Sequence, residues 1–233
     1  MHIQLNNLKK CFGEHVAVDI PHFTIGNGQL VGLVGNNGAG KTTLFRLMLD
    51  LAKATEGNVL IDGIDPATSE DWKLLTGAFI DNSFLIDFLT AEEYFEFVGK
   101  VSGMTKEQVE IRLKTFETFM GDEIIGKKKY IRDFSAGNKQ KIGIVAALLN
   151  SPQLVILDEP FNFLDPSSQN QLKRILTEFN RSTGATVMVS SHNLQHTVEI
   201  STRVALLENG KIIEDIDNSD GKAEEILDKY FNV

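Results

Sequence analysis

Gly35-Asn36-Asn37-Gly38-Ala39-Gly40-Lys41-Thr42-Thr43 is the stretch that decides the fold of this chain. It matches the Walker A pattern G-x-x-x-x-G-K-[ST] in full. The apolar, β-prone run Leu30-Val31-Gly32-Leu33-Val34 precedes it, and the helical pattern Leu44-Phe45-Arg46-Leu47-Met48-Leu49 follows it. The sequence therefore predicts a strand, a glycine loop and a helix in the order that a phosphate-binding loop requires.

The predicted loop has the residue types that a bound polyphosphate needs. Gly35, Gly38 and Gly40 allow positive φ angles and let backbone N–H groups approach phosphate oxygens. Lys41 supplies a full charge to the β- and γ-phosphates, and the Thr42 hydroxyl is placed to ligate Mg²⁺. We therefore predict a nucleotide site built from Gly35, Asn36, Asn37, Gly38, Ala39, Gly40, Lys41, Thr42 and Thr43.

A second motif, Leu154-Val155-Ile156-Leu157-Asp158-Glu159-Pro160, places two carboxylates after a predicted buried strand. Ligand sites of open α/β sheets lie at that end of the strands. We expect Asp158 to hold the metal, directly or through water, and Glu159 to polarise an attacking water. A lone Asp-Glu pair also fits a solvated strand end, but the Walker A loop upstream favours the catalytic interpretation.

The order of the motifs resembles the nucleotide-binding subunit of ATP-binding cassette (ABC) transporters. Phe134-Ser135-Ala136-Gly137-Asn138-Lys139-Gln140 is similar to the family signature L-S-G-G-Q, and Leu164-Asp165 resembles its D-loop. Ser190-Ser191-His192 resembles the switch histidine that follows a strand, and Phe12 stands where the family has an adenine-stacking aromatic residue. The matched landmarks run from Phe12 to His192 and so cover nearly the whole chain.

The resemblance implies an α/β fold of the P-loop NTPase (ABC ATPase) class, with ATP and Mg²⁺ as cofactors. It implies a RecA-like parallel-sheet core, an N-terminal antiparallel β-subdomain and an inserted α-helical subdomain at about 82–150, all within one domain spanning 1–233. Two cassettes, in a homodimer or pseudo-dimer, would enclose ATP between them and power a separate integral membrane permease, an exporter. The signature residues that would contact ATP in the partner are Ser135, Ala136, Gly137 and Asn138.

Several of these residues also have a simpler interpretation. Without the family, Ser135 is only a helix N-cap after a hydrophobic residue. Phe12 fits a core position as well as adenine stacking. His192 follows a β-prone run and two serines, from which an imidazole could bond a γ-phosphate, whereas His2, His15, His22 and His196 are assigned to surface or packing. Asp165 is a candidate site residue only because Leu164-Asp165 resembles the D-loop of the family.

Asp81 departs from the family pattern. It follows the predicted strand Gly77-Ala78-Phe79-Ile80 at the place where the family usually has the glutamine of the Q-loop. A carboxylate there is a candidate Mg²⁺ ligand through a water, and its charge would weaken metal-free nucleotide binding beside Asp158 and Glu159. Within the family that the sequence resembles, an acidic residue at this place implies similarity to bacterial exporters of the bacitracin and other peptide-antibiotic resistance type.

Composition agrees with an intracellular ATPase. The chain has 233 residues, a net charge of −9 and a single cysteine, Cys11. The charge argues against binding to nucleic acid backbones, and one cysteine excludes an intramolecular disulfide. Because no secretory signal or run of about 18–20 apolar residues is visible, we expect a cytoplasmic protein, peripheral at the inner face of the cell membrane through a membrane subunit. The alternatives are a soluble ABC-type ATPase acting on ribosomes or nucleic acid, and a scaffold with negligible hydrolysis.

The residue pattern also permits predictions for two further segments. An aromatic cluster in the predicted helical region is either plain core or partly a groove for a short helix of the membrane subunit, which the resemblance implies. A short helix is expected over 224–230. The residues of the aromatic cluster are Phe84, Phe88, Tyr94, Phe95 and Phe97.

Overall fold

The computed structural model describes residues 1–223 and 225–227. The strands are β1 (Ile3–Phe12), β2 (His15–Ile25), β3 (Leu30–Val34), β4 (Glu56–Ile61), β5 (Thr76–Phe79), β6 (Leu154–Leu157), β7 (Thr186–Ser191), β8 (Arg203–Glu208) and β9 (Lys211–Asp217). The helices are α1 (Lys41–Met48), α2 (Ala91–Val101), α3 (Lys106–Lys114), α4 (Glu117–Met120), α5 (Ala136–Leu148), α6 (Pro166–Thr183) and α7 (Leu194–Ile200).

The larger sheet has the strand order β5-β6-β7-β3-β8-β9. Its first five strands are parallel, and β9 pairs antiparallel with β8. Every residue of β3, β6 and β7 is buried, as expected for parallel strands covered on both faces. The carboxyl ends of these strands therefore meet at one edge of the sheet.

The smaller sheet is antiparallel, with the order β2-β1-β4. Its buried residues, such as Ile3 and Leu5, share a core with Phe45 and Met48 of α1 and with Leu33 of the parallel sheet. Burial of this apolar surface holds α1 between the two sheets. The loop before α1 is consequently fixed at both ends.

A second core covers the opposite face of the parallel sheet. Strand β6 shows the division: Leu154 and Ile156 belong to the core around α1, whereas Val155 and Leu157 pack with α2, α5 and α6. This alternation follows from the two-residue period of a strand. Gly143 of α5 lies directly on the ring of Phe79 in β5, where there is no room for a side chain.

The helices begin and end at the residues that local chemistry favours. Thr90 and Glu93 form a reciprocal capping box at the start of α2, which satisfies backbone donors of the first turn. Asp165 caps α6, Pro166 occupies its first turn, and Gly184 ends it in the left-handed conformation.

The predicted fold class is confirmed, with a parallel core and a separate antiparallel sheet. Strand β4 was not predicted, because its pairing with β1 is a non-local contact that periodicity does not reveal. The helix expected over 224–230 falls largely outside the described residues.

Candidate nucleotide site

The candidate site lies at the carboxyl edge of the parallel sheet. The glycine loop follows β3, Asp158 and Glu159 follow β6, and His192 follows β7. Strands β6, β7 and β3 are neighbours in the sheet, so three motifs that are far apart in sequence converge here. This is the edge at which open α/β sheets bind ligands.

The glycines of the loop serve two different purposes. Gly40, with φ of +110°, adopts the left-handed conformation immediately before α1, and a side chain there would meet the carbonyl oxygen of Ala17 at 2.4 Å. Gly35 does not have a positive φ, contrary to the expectation from its motif. A Cβ atom at Gly35 would lie 2.3 Å from the carbonyl oxygen of Leu207, so close packing excludes a side chain there.

Lys41 is buried, and its ammonium group is held by the loop itself. Nζ donates to the carbonyl oxygen of Gly35 at 2.6 Å and to that of Asn36 at 3.3 Å. It also lies 3.3 Å from Oε1 of Glu159. The Lys41 ammonium group therefore forms an ion pair with the carboxylate of Glu159, which follows β6.

Asp158 is buried and accepts two hydroxyl hydrogen bonds. Oδ2 accepts from Oγ1 of Thr42 at 2.5 Å, and Oδ1 accepts from the hydroxyl of Ser190. Burial raises the pKa of Asp158, although the two hydroxyl donors act in the opposite direction. Thr42 and Asp158 therefore bring a hydroxyl and a carboxyl oxygen together at the start of α1.

Glu159 lies between Lys41 and His192. Its Oε2 is 2.8 Å from Nδ1 of His192 and also accepts the His192 backbone N–H at 3.3 Å. Its backbone has a φ of +47° and is fixed by a hydrogen bond from its N–H to Oγ of Ser190. The Glu159 carboxylate is thus oriented by a cation on one side and an imidazole on the other.

The oxygen donors present fit Mg²⁺ bound together with nucleotide. Mg²⁺ prefers hard oxygen ligands and is usually held by one or two protein groups plus phosphates and waters. Thr42 and Asp158 supply such a pair. Within residues 1–223 and 225–227, no cluster of three or more His, Cys, Asp or Glu side chains could hold a metal without further ligands.

A cleft of about 370 Å³ lies over the glycine loop. Phe12 stands at its rim with 56 % of its surface exposed, which rules out the core interpretation of this residue. Lys10 Nζ lies 4.9 Å from the centre of the Phe12 ring. The lining residues are Phe12, His15, Ala17, Asn37, Gly38, Ala39, Gly40, Lys41, Thr42, Thr43 and Glu159.

The signature residues lie at the start of α5, and the described lining of the cleft includes none of them. Ser135 and Ala136 are exposed, and Oγ of Ser135 accepts the N–H of Asn138 at 3.2 Å as the helix cap. The side chain of Asn138 points inward and donates to Glu123 at 3.0 Å. The N-terminus of α5, with its exposed serine, therefore lies outside the lining of the chain's own nucleotide cleft.

Asp165 and Asp81 are both N-caps, Asp165 of α6 and Asp81 of the short turn that follows it. Asp165 accepts from the backbone N–H groups of Ser167 and Ser168. Asp81 accepts from the backbone N–H of Ser83 at 2.8 Å and pairs with Arg46 of α1 at 3.2 Å. Burial raises the pKa of the Asp81 carboxyl, but the hydrogen bonds from Ser83 and Arg46 together outweigh it and lower the pKa.

Sequence reasoning missed two residues that fix the site. Ser190 links the two carboxylate residues, and its position follows from the pairing of Leu157 with Val189, which sets the next residues of β6 and β7 side by side. Gln140 of α5 donates to the carbonyl oxygen of Glu159 at 3.2 Å. If β6 and β7 had been predicted as paired parallel strands, the contact of Ser190 with Asp158 could have been predicted. The sequence contains no signal for the hydrogen bond from Gln140 to Glu159.

The fold and the site define a P-loop nucleotide hydrolase. The sequence profile of the family described as ABC transporter matches residues 18–162. The chain is 33 % identical over 226 residues to the bacitracin transport ATP-binding protein BcrA of Enterococcus faecalis, covering 94 % of this chain and 70 % of the relative. It is 31 % identical over 205 residues to the methionine import ATP-binding protein MetN of Carboxydothermus hydrogenoformans, covering 85 % of this chain and 60 % of that relative.

Among solved structures, a dimeric ATP-binding cassette in a post-hydrolysis state with ADP and Pi superposes with a TM-score of 0.82. That cassette is 25 % identical, and the match covers 92 % of this chain and 98 % of that one. The chain therefore belongs to the ABC transporter family, as an ATP-binding and ATP-hydrolysing cassette. In the described residues, no helix has both the length and the apolar character needed to cross a bilayer.

Proposed function

We propose that this chain is the ATPase subunit of an exporter, and that two copies, or one copy and a similar cassette, close on ATP to drive a separate integral membrane subunit. One domain spanning 1–233 would carry the function, with its helical part at about 82–150. The observation that most strongly supports ATP hydrolysis is the position of Glu159, which lies between the Walker A lysine and the histidine that follows β7.

Each side chain then has a defined task. Phe12 stacks on the adenine, and the amides of the glycine loop bind the phosphates together with Lys41. Glu159 accepts the proton of the attacking water, and His192 holds Glu159 in place and orients the γ-phosphate. When phosphate enters, Lys41 exchanges its contact with Glu159 for the phosphate oxygens, which frees the carboxylate to act as a base.

Mg²⁺ would be held by Thr42 and Asp158, and it would supply positive charge to the phosphoryl group being transferred. Asp158 contributes its buried carboxylate for this purpose, and Ser190 keeps that carboxylate oriented. Asp81 is proposed as a further ligand through a water. Its pairing with Arg46 has to be exchanged for that contact.

The second half of the ATP site would come from the partner cassette. Ser135 and Gly137 present a hydroxyl and the N-terminus of α5, which favours an anion. Because these residues do not line the cleft of their own chain, a second copy is the natural place for their ligand. Asp165 belongs to the loop beside this terminus, in the position of the D-loop.

An apolar groove supports docking to a membrane subunit. A groove of about 310 Å³ is lined by Leu51, Trp72, Ile80 and Phe84, among others, and both Leu51 and Phe84 are exposed. Of the aromatic cluster, Tyr94 and Phe95 are buried, whereas Phe84, Phe88 and Phe97 are exposed. Asp81 directly follows Ile80 of the groove and pairs with Arg46 of α1, so a partner seated in the groove would act on the nucleotide site through the Asp81–Arg46 pair.

The proposed location is the cytoplasmic face of the membrane, with the membrane subunit as anchor. Export is proposed because Asp81 stands where the family usually has a glutamine, as in the peptide-antibiotic exporters that the sequence resembles. The net charge of −9 argues against a nucleic acid partner.

The catalytic part is tested with Glu159→Gln, which keeps the size and removes the charge of the proposed base. We expect the ATPase rate to fall by about 10² to 10⁴ while ATP and Mg²⁺ shift the variant to a dimer in sedimentation velocity. Glu178→Gln makes the same chemical change on the exposed side of α6 and should behave as wild type. Hydrolysis at the wild-type rate by Glu159→Gln would remove Glu159 from its role.

The membrane part is tested by purifying tagged protein from the membranes of its native cells. We expect a polytopic membrane protein to co-purify, and Phe84→Ser to reduce its recovery more than Ile111→Ser, an exposed apolar position on α3. Retention of ribosomal RNA or DNA after a salt wash, without a membrane protein, would contradict the proposal.

A further inference from the structure

A cavity of about 490 Å³ lies in the helical part of the chain and is bordered by α2, α3 and the segment 117–125. This helical cavity is larger than the cleft over the glycine loop. Its volume is within the range of about 300–1,000 Å³ that is typical of small-molecule sites. The residues that line it are Glu92, Glu96, Val109, Glu110, Leu113, Lys114, Glu117, Met120, Gly121, Asp122 and Ile125.

The floor of the helical cavity is apolar. Val109 of α3 and Met120 of α4 are buried, and Leu113 packs against the same core. Ile125 is partly exposed at the cavity edge. The floor therefore offers apolar surface, and its burial by a ligand would be favourable.

The rim of the helical cavity is acidic, with five carboxylates and one lysine. Lys106, just outside the cavity, is paired with Glu96 at 2.6 Å and also interacts with Glu110. Among the residues that the structure describes, the carboxylates of Glu117 and Asp122 have no ion pair and no hydrogen bond. An apolar floor below unpaired carboxylates is complementary to a ligand that carries a cation on an apolar body.

The helical cavity is connected to the signature helix through the segment 121–126. Asp122 lines the cavity, and the next residue, Glu123, accepts a side-chain N–H of Asn138 at 3.0 Å. Glu92 of α2 holds the far end of the segment by accepting a backbone N–H at 2.5 Å. A ligand that contacts Asp122 therefore acts on a segment that is bonded to a signature residue.

We propose that the helical cavity binds a small cationic amphiphile, an amine or guanidinium with an apolar body, and that its binding changes the rate of ATP hydrolysis. The apolar body lies on Val109, Leu113 and Met120, and the cation lies between Glu117 and Asp122. The binding goes beyond the proposed function and does not depend on it. The change in rate rests on the proposed function, because it assumes that the signature residues contact ATP.

The binding is tested with three probes of similar shape: octylamine, the neutral octanol and the anionic octanoate. The protein is labelled with ¹³C-methyl methionine, and each titration is followed by NMR. We expect octylamine to shift the methyl signal of Met120 and to leave those of Met48 and Met188, which belong to the other core, in place. Octylamine should bind about fivefold more tightly than octanol, the upper limit for exposed ion pairs, and octanoate more weakly than both.

A pair of double variants tests the acidic rim. Glu117→Gln with Asp122→Asn removes the two unpaired carboxylates at nearly constant size, and should weaken octylamine binding about fivefold without affecting octanol. Glu107→Gln with Glu178→Gln removes two exposed carboxylates away from the cavity, and should leave the binding of both probes unchanged. An unmoved Met120 signal, equal affinities for octylamine and octanol, or equal octylamine affinities of the two double variants would each overturn the site.

The connection to the signature helix is tested by the ATPase rate. Saturating octylamine should change the wild-type rate about fivefold, the lower end of typical coupling between sites. It should have little effect on Glu123→Ala, which lacks the bond to Asn138. A bound amine that leaves the wild-type rate unchanged, or acts equally on Glu123→Ala, overturns the connection and leaves the proposed function in place. Pairing of Glu159→Gln with ATP, measured without amine, tests the proposed function separately.

Discussion

The contact between Gly143 and Phe79 gives the most quantitative prediction. Alanine normally stabilises the middle of a helix relative to glycine by about 0.5–1 kcal/mol. In α5, however, a Cβ atom at Gly143 would lie 2.1 Å from Cε2 of Phe79 and 2.4 Å from Cδ2 and Cζ. Carbon atoms in contact are about 3.5–4.0 Å apart, so the ring must move by roughly 1.5 Å.

Phe79 has little freedom to move. It is 3 % exposed, and its carbonyl oxygen accepts the N–H of Asp158 at 2.9 Å. Overpacking of this kind costs about 1–3 kcal/mol. With the helix gain subtracted, we expect Gly143→Ala to lose about 1 kcal/mol of unfolding free energy, or roughly 2–4 °C in Tm. The ATPase rate should fall too, because the strand that bonds Asp158 is displaced.

Thermal unfolding followed by circular dichroism measures the effect. Phe79→Leu shortens the obstructing side chain, so the double variant should be more stable than the sum of the two single changes predicts. A Tm for Gly143→Ala equal to or above that of wild type would refute the reasoning, because it would mean that ordinary helix propensity decides this position.

Two further predictions concern pH and nucleotide affinity. Burial lowers the pKa of His196, and so does the charge of Lys173, while Glu199 acts in the opposite direction. Because the unfolded chain takes up this proton more readily than the folded chain, His196 contributes stability above the unfolded pKa of about 6.5. That stability is lost as the pH falls below this value. The Tm of His196→Gln should therefore fall less than the Tm of wild type between about pH 7.5 and about pH 5.5. Equal falls in Tm for the two proteins would contradict this prediction. Phe12→Ala should raise the KM for ATP roughly tenfold with little change in kcat, whereas Phe12→Tyr should not; an unchanged KM in the alanine variant would exclude stacking.

The parts of the site that depend on one stretch of sequence were predictable. The pattern ending in Lys41-Thr42 fixes a strand, a loop and a helix, and the structure has them in that order. Asp158 could be placed at a strand end because four apolar residues precede it. These predictions need only local periodicity and backbone chemistry.

The remaining features depend on contacts between distant segments. Ser190 orients Asp158 only because β6 and β7 are adjacent. Gly35 is required by the carbonyl oxygen of Leu207, which is remote in sequence. The exposure of Phe163 at a positive φ was likewise invisible, since a phenylalanine next to Leu164 and two residues after Phe161 has the sequence pattern of a core residue.

The central claim is that each ATP lies between the glycine loop of one copy and the signature helix of the other. It is tested most directly by mixing two inactive variants, Lys41→Ala and Ser135→Arg, and measuring the ATPase rate of the mixture. A mixed dimer would contain one intact site, so we expect recovery of roughly a quarter of the wild-type rate at equal concentrations. A mixture as inactive as each variant alone would contradict the account, because the two motifs would then have to serve the same chain.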